Sequence, residues 1–192
     1  SAGPLPSPRT PAPMPLIEVV RTYLEMTDPA QLRPAREEDA RVRMERVGHC
    51  PASFYRYLYA AVGERWQWRD RTEWSDARIR ERLDDPRVSL GVLYVEGAPA
   101  GWAEHERHAD GSVEIVYFGL LPEYAGRGLG KRFLTWAVER GWSDGASRVW
   151  LHTCTLDSPH ALPNYLARGF RRTRTERYHT EPAAHGVPDA AG

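Results

Sequence analysis

The residues Leu120-Leu121-Pro122-Glu123-Tyr124-Ala125-Gly126-Arg127-Gly128-Leu129-Gly130-Lys131 join an apolar, strand-like run to an amphipathic, helical one. Glycines at 126, 128 and 130 leave backbone N–H groups uncovered. The helix that follows adds the unpaired N–H groups and positive dipole end of its first turn. Together these make a pocket suited to a pyrophosphate. Two familiar phosphate loops do not fit. A Walker A loop needs Gly-x4-Gly-Lys-[Ser/Thr], but Ala125 holds its first position and Arg132 follows Lys131. A dinucleotide fingerprint needs Gly-x-Gly-x-x-Gly, and the spacing here is Gly-x-Gly-x-Gly. Alone, the loop reads equally well as an ordinary glycine-rich turn.

Upstream of the loop the hydrophobic period is that of strands. Val88 to Val95, Ala100 to His108 and Ser112 to Leu121 form three consecutive strands. They are joined by the turn Glu96-Gly97-Ala98-Pro99 and by the hairpin signal Asp110-Gly111. Further back, Val19 to Met26 reads as a first strand. Pro34-Ala35-Arg36-Glu37-Glu38-Asp39 starts a helical stretch with acids in its first turn. Phe54, Leu58 and Val62, at i, i+4 and i+8, mark a second helix that Gly63 ends. Ser75 is a good N-cap for Asp76 to Leu83. Downstream of the loop, Leu129 to Glu139 is a helix, Arg148 to Cys154 a strand, Pro159 to Ala167 a helix and Phe170 to His179 a last strand. With one of the three helical stretches before the three strands left outside it, the order β, α, α, β, β, β, α, β, α, β predicts an α/β fold, a mixed sheet with helices on its faces.

The 192 residues are 41% hydrophobic, enough for one domain with its own core. Residues 1–16, with prolines at 4, 6, 8, 11, 13 and 15, are expected to form a flexible tail. Residues 17–180 are expected to be a single domain, and 181–192, rich in Ala, Gly and Pro, a second tail. Lys plus Arg equals Asp plus Glu at 26 each, so the basic excess of a dedicated nucleic-acid binder is missing. No apolar run approaches the ~20 residues of a membrane helix. Ser1 to Pro15 lacks the basic and apolar regions of a signal peptide. Cys50 and Cys154 cannot make a disulfide framework or a four-cysteine zinc site, so a reducing, cytoplasmic setting is expected.

A second motif follows the loop: Ser158-Pro159-His160-Ala161-Leu162-Pro163-Asn164-Tyr165-Leu166-Ala167-Arg168-Gly169-Phe170. A helix ends at Gly169 and delivers Phe170 into a strand, with Tyr165 one turn before the end. A lone tyrosine there is ordinary packing. The pair of motifs, however, resembles the GNAT superfamily of acyl-CoA-dependent N-acyltransferases. That family carries [Gln/Arg]-x-x-Gly-x-[Gly/Ala] after a strand, and later Asn-x-x-Ala-x-x-x-Tyr-x-x-x-Gly-Phe. Gly128 and Gly130 match the first pattern; Ala161, Tyr165, Gly169 and Phe170 match the second. Ala125 departs where the family has Gln or Arg, and Ser158, beside Asp157, departs where Asn is common. Arg127 or Lys131, the only lysine in the chain, can supply the charge instead.

The resemblance implies direct attack of an amine on the thioester of acetyl-CoA. A base must take the amine's proton, an N–H donor must hold the oxyanion, and an acid helps the thiolate leave. By this resemblance Glu114 is the leading base, with Glu104 and Glu106 as fallbacks. Period-2 alternation places Glu114, Val116, Phe118 and Leu120 on one face of their strand. The backbone N–H of Leu120 is the implied oxyanion donor and Tyr165 the implied acid. The implied acetyl-CoA contacts are Leu120, Leu121, Ala125, Gly126, Arg127, Gly128, Leu129, Gly130, Lys131 and Ser158. Tyr55, Tyr57, Tyr59, Trp66, Trp68 and Trp74 crowd a stretch that walls the acceptor pocket in this family, with Tyr57, Tyr59, Trp66 and Trp68 as the acceptor candidates, although helix and loop packing explains any one of them as well. His105 and His108 do not form His-Glu-x-x-His and lie in a strand, so no metal is expected. His152 could face the thioester or simply pack.

The expected function is therefore acetyl transfer from acetyl-CoA to a primary amine of a small molecule, without nucleic acid or membrane as partner. Homodimers are common in the family. The rival readings are a protein lysine or N-terminal acetyltransferase, and an acyl-CoA-binding module without catalysis.

Overall fold

A computed structural model describes residues 12–182. The tails expected at the two ends therefore lie largely outside the described residues. Seven strands form one sheet in the order β2-β3-β4-β5-β6-β1-β7. The strands are β1 (Ile17–Met26), β2 (Val42–Val47), β3 (Val88–Val95), β4 (Ala98–Arg107), β5 (Val113–Leu120), β6 (Val149–Cys154) and β7 (Arg171–Thr180). All neighbours run antiparallel except β5 and β6. The helices are α1 (Ala52–Gly63), α2 (Asp76–Asp84), α3 (Leu129–Ser143) and α4 (Ala161–Ala167). Among the described residues no helix is long and apolar enough to cross a membrane.

Each face of the sheet has its own core. On one, Phe133, Leu134, Ala137 and Val138 of α3 and Tyr165 of α4 pack on Leu24, Met26, Ala103, Ile115, Val149 and Leu151. On the other, Tyr55, Leu58, Tyr59 and Val62 of α1 and Ile79 of α2 pack on Leu90, Val92 and Trp102. The second stripe is the one the i, i+4, i+8 spacing predicts, widened by two tyrosines.

Three local readings change. The stretch from Pro34 to Asp39 is not helical. It runs extended past α3, and its polar groups bond there: Ala35 N–H donates to Thr135 Oγ1 (2.9 Å), Arg132 to the Glu37 carbonyl (2.6 Å), and Arg36 pairs with Glu139. Tertiary partners satisfy the backbone that a helix would otherwise satisfy itself. The chain then forms β2, an extra strand whose signal was the alternation Val42-Arg43-Met44-Glu45; Val42 and Met44 face the α3 core. Gly63 does not end α1 by a left-handed turn. Its φ is −89°, the chain continues into a 3-10 turn, and Gln67 at φ 58° makes the break. Gly63 is needed because a Cβ there would lie 2.4 Å from the Trp68 ring.

Gly169 ends α4 at φ +108°, and a Cβ there would lie 2.0 Å from the Gln31 carbonyl oxygen. Beside it Arg33 N–H donates to the Arg168 carbonyl (2.8 Å), so this point ties the first crossover to α4. Gly169→Ala combines backbone strain with overpacking and should cost about 2–4 kcal/mol of stability, read by urea denaturation.

Candidate active site

The site begins with a break in strand alternation. β4 and β5 pair Glu106↔Glu114 and His105↔Ile115, then Glu104↔Tyr117 and Ala103↔Phe118. Val116 is the extra residue of a β-bulge, so the faces exchange across it. Glu114 and Tyr117 therefore share the α1 face, while Ile115, Phe118 and Leu120 share the α3 face. The simple period-2 expectation that put Glu114, Phe118 and Leu120 together is corrected by this bulge.

The bulge also parts the sheet. β5 and β6 pair only at Val113↔Val149 and Glu114↔Trp150, and beyond that they diverge. Glu114 thus stands at the vertex of a slot between two strands. Leu121 N–H donates to the Ala100 carbonyl (2.8 Å). Alternation then turns the N–H groups of Leu120 and Phe118 away from β4 and into the slot. Phe118 lies nearer Glu114 along the strand and was not singled out from sequence.

At the far end of β5 a 3-10 turn, Pro122–Tyr124, leads into the glycine loop. Gly126 and Gly128 have φ of +76° and +74°. A Cβ on Gly126 would meet nothing within 4 Å, and one on Gly128 only the end of the Lys131 side chain. The glycines are thus required by backbone conformation, and the space above them is open. Gly128 is the N-cap of the 15-residue α3 and offers no capping side chain, so the N–H groups of the first turn face that space. Lys131 leans over the loop, with Nζ 3.9 Å from the Gly128 Cβ position, whereas Arg127 lies over the Tyr124 ring. Of these two cations Lys131 is the one over the loop, where Ala125 brings no polar side chain. Asn164 of α4 reaches the same helix end, with Nδ2 3.8 Å from the Gly130 Cβ position. These groups fit a pyrophosphate. Ser158 lies just before α4, where its Oγ accepts from His160 N–H (3.3 Å).

Tyr165 is buried, edge-on to Phe118 (6.2 Å) and to Phe170 (6.1 Å). Burial and the nearby Asp157 carboxylate push its hydroxyl well above the usual phenol range, so it stays protonated. Asp157 accepts from Thr153 Oγ1 (2.6 Å) and Cys154 N–H (2.9 Å). It also accepts from Trp68 Nε1 at 3.4 Å. The Trp68 indole lies 4.9 Å from the Tyr117 ring and reaches over Gly119. It therefore crosses from β5 to the loop after β6, roofing the slot on the α1 face. Tyr59 packs behind it, against Tyr117 and Trp102. Tyr57 is exposed on the outer side of α1, and Trp66 lies under Arg65. Of the four aromatic acceptor candidates, only Trp68 and Tyr59 come to the slot side.

The three candidate bases have different surroundings. Glu104 is fully buried and accepts from Tyr55 (2.8 Å), Arg71 (2.6 Å) and Arg82 (2.8 Å). Burial works against the Arg71 charge, but Glu104 more than offsets this and holds the guanidinium protonated. Glu106 pairs with Arg82 (3.1 Å). Glu114 is engaged by imidazoles instead: His108 Nε2 is 2.9 Å from Oε2, and His152 Nε2 is 3.9 Å from Oε1. Burial and Arg21 lower the His152 pKa, which keeps that ring neutral at pH 7. His105 is buried on the other face, against the Ala137 carbonyl (2.8 Å). Glu106, His108 and Glu114 place possible ligand atoms within 4.8 Å of one another. Arg82 already occupies Glu106 there.

A model of the acetyltransferase (GNAT) family matches residues 54–170, and the chain belongs to that family. Uncharacterized N-acetyltransferases of Mycobacterium bovis and Mycobacterium tuberculosis are 31% identical to it over 104 residues. The match covers 54% of this chain and 66% of theirs, just under two thirds of their length. A GCN5-related N-acetyltransferase from Kribbella flavida shares the fold with a TM-score of 0.61 at 20% identity, over 86% of this chain and 58% of that one. An aminoglycoside acetyltransferase from an uncultured soil metagenomic sample does so with a TM-score of 0.58 at 14% identity, over 69% of this chain and 90% of that one.

The Glu104 cluster holds the segment between α1 and α2 on the sheet. Glu104→Gln keeps the shape but removes the carboxylate paired with Arg71, while Arg82 keeps its pair with Glu106. It should cost about 3 kcal/mol in a denaturation experiment. The surface change Glu123→Gln should stay within about 0.5 kcal/mol of the parent.

Proposed function

We infer that this protein is an acetyl-CoA-dependent N-acetyltransferase acting on a primary amine of a small molecule. The observation that carries this reading is the slot: unpaired β5 N–H groups on its edge, a glycine cradle at its open end and Glu114 at its vertex. Acetyl-CoA supplies the acetyl group as a thioester, with an extended amide-bearing arm that complements the parted strand edges. In this reading the loop N–H groups of residues 126–131 and Lys131 bind the pyrophosphate. Phe118 N–H or Leu120 N–H holds the carbonyl oxygen as it gains charge. Glu114 takes the amine proton, and Tyr165 carries a proton for the sulfur. The Trp68–Asp157 contact covers the slot on the α1 face, which favours a small acceptor in this reading.

The test is thiol release from acetyl-CoA with phenethylamine, spermidine, kanamycin, glutamate and an N-terminal alanyl peptide, with products identified by mass spectrometry. Turnover of the peptide alone would transfer the reading to a protein acceptor. Binding of acetyl-CoA without turnover of any amine would leave a binding module. Gly128→Asp adds a side chain and a negative charge above the cradle. It should lower acetyl-CoA affinity at least tenfold by calorimetry while the protein still melts cooperatively, at a temperature lowered by the strain of a non-glycine residue at φ +74°; unchanged affinity would remove the loop from the site.

Glu114→Gln and Tyr165→Phe should differ in their response to pH. Loss of the base should reduce kcat by about 10²–10⁴-fold, with partial recovery as rising pH deprotonates more of the amine. Loss of the phenol should not recover with rising pH, because its pKa is raised and the wild-type group stays protonated there. A kcat at the wild-type level in Glu114→Gln would remove it as the base.

A further inference from the structure

The geometry points to His108 as the proton outlet of this site, carrying the proton that Glu114 removes from the acceptor amine out to solvent. This rests on the catalytic reading of Glu114 and goes beyond it. A buried carboxylate that takes a proton each turnover must release it before the next, and its own contact with water is small. The Glu114 side chain is 11% exposed, whereas that of its hydrogen-bond partner His108 is 36% exposed. Histidine is the side chain suited to exchanging protons near neutral pH.

The ring is held for this task by the β4–β5 turn. His108 N–H donates to the Ser112 carbonyl (2.9 Å), and Gly111 N–H donates to the His108 carbonyl (3.0 Å). Trp150 on β6 donates from Nε1 to Ser112 Oγ (3.1 Å) and packs against the imidazole, with ring centroids 5.5 Å apart. The charged groups around His108 come from every neighbouring element. They are Glu114 on β5, Glu106 on β4, Asp110 in the turn, and Arg148, whose guanidinium lies over Trp150 and 3.7 Å from Asp110. His152 lies 3.9 Å from the other Glu114 oxygen, and burial lowers its pKa.

The step balances simply. The amine nitrogen loses one proton to the Glu114 carboxylate. The resulting carboxylic acid gives that proton to His108 Nε2, and the imidazolium loses its other ring proton, from Nδ1, to water. Glu114 ends as carboxylate and His108 as neutral imidazole in the opposite tautomer, which re-equilibrates through solvent before the next turnover. No bond other than N–H and O–H is made or broken.

The test uses the full chain, acetyl-CoA and the best amine found in the panel above. His108→Ala should lower kcat about tenfold to a hundredfold, at the low end of what positioned acid–base groups contribute. Its acetyl-CoA affinity by calorimetry and its melting temperature should change little. Added imidazole should restore part of that kcat and should restore nothing in Glu114→Gln. A purely structural histidine would give no such rescue. If His108→Ala does not fold, His108→Gln decides: it can keep a hydrogen bond to Glu114 but cannot shuttle a proton. A lowered kcat in His108→Gln with unchanged acetyl-CoA affinity supports the outlet. Wild-type kcat in a folded His108 variant, or a loss in His108→Ala that imidazole leaves untouched, overturns it. Impaired Glu114→Gln beside unimpaired His108 variants would overturn the outlet alone. Wild-type kcat in Glu114→Gln, or an absence of turnover with every amine, would overturn the base and the outlet together.

Discussion

The site depends on a single unpaired residue in the middle of a sheet. Val116 has no partner on β4, and this bulge twists β5 away from β6 after only two paired positions. A backbone N–H inside a protein needs a partner, and a parted strand edge holds several that the sheet itself does not satisfy. The edge therefore leaves amide groups turned toward the slot. The bulge also exchanges the faces, so Glu114 points to one side of the sheet while Phe118 and Leu120 join the core on the other. One extra residue thus opens the slot and aims a carboxylate across its vertex.

Holding that opening requires rigidity around it. The segment between α1 and α2 packs Trp68 and Trp74 against the α1 core. Charge fixes it as well, through Arg71 on the fully buried Glu104, with Tyr55 and Arg82 completing the cluster. Such a cluster contributes little net stability, but removing one member is costly, so it fixes a single arrangement of the segment. Arg71 further stacks on Tyr117 and Trp74, both at 4.7 Å. The aromatic crowd between residues 55 and 74 is thereby divided. Most of it is core, and Trp68 alone reaches across to Asp157.

Much of this was legible in the linear chain. The strand–glycine loop–helix junction and the end of α4 at Gly169 could be read directly, because local backbone demands confine those positions to few residue types. β2 was missed, although Val42 and Met44 alternate with charges there, because the acidic run of Glu37, Glu38 and Asp39 pointed to a helix just before it. That run follows local propensity, and α3 outbids propensity by offering Thr135 and Arg132 as partners. The bulge at Val116 left no mark, since no glycine or proline stands there. Asp157 appeared only as a neighbour of Ser158, and its link to Trp68 joins residues 89 positions apart.

The sequence by itself determined the class of sheet, the two helix-flanked motifs and the residue types able to carry acid–base chemistry. Those follow from periodicity and from glycine's access to positive φ, which are local properties. Only the tertiary structure decided how the three glutamates are engaged. Glu104, Glu106 and Glu114 look alike along two neighbouring strands. In the fold, Arg71 and Arg82 close around the first two, while Glu114 meets imidazoles at the vertex of the slot. Arginines arriving from a distant segment and helix make that distinction, and their placement depends on packing rather than on any local pattern.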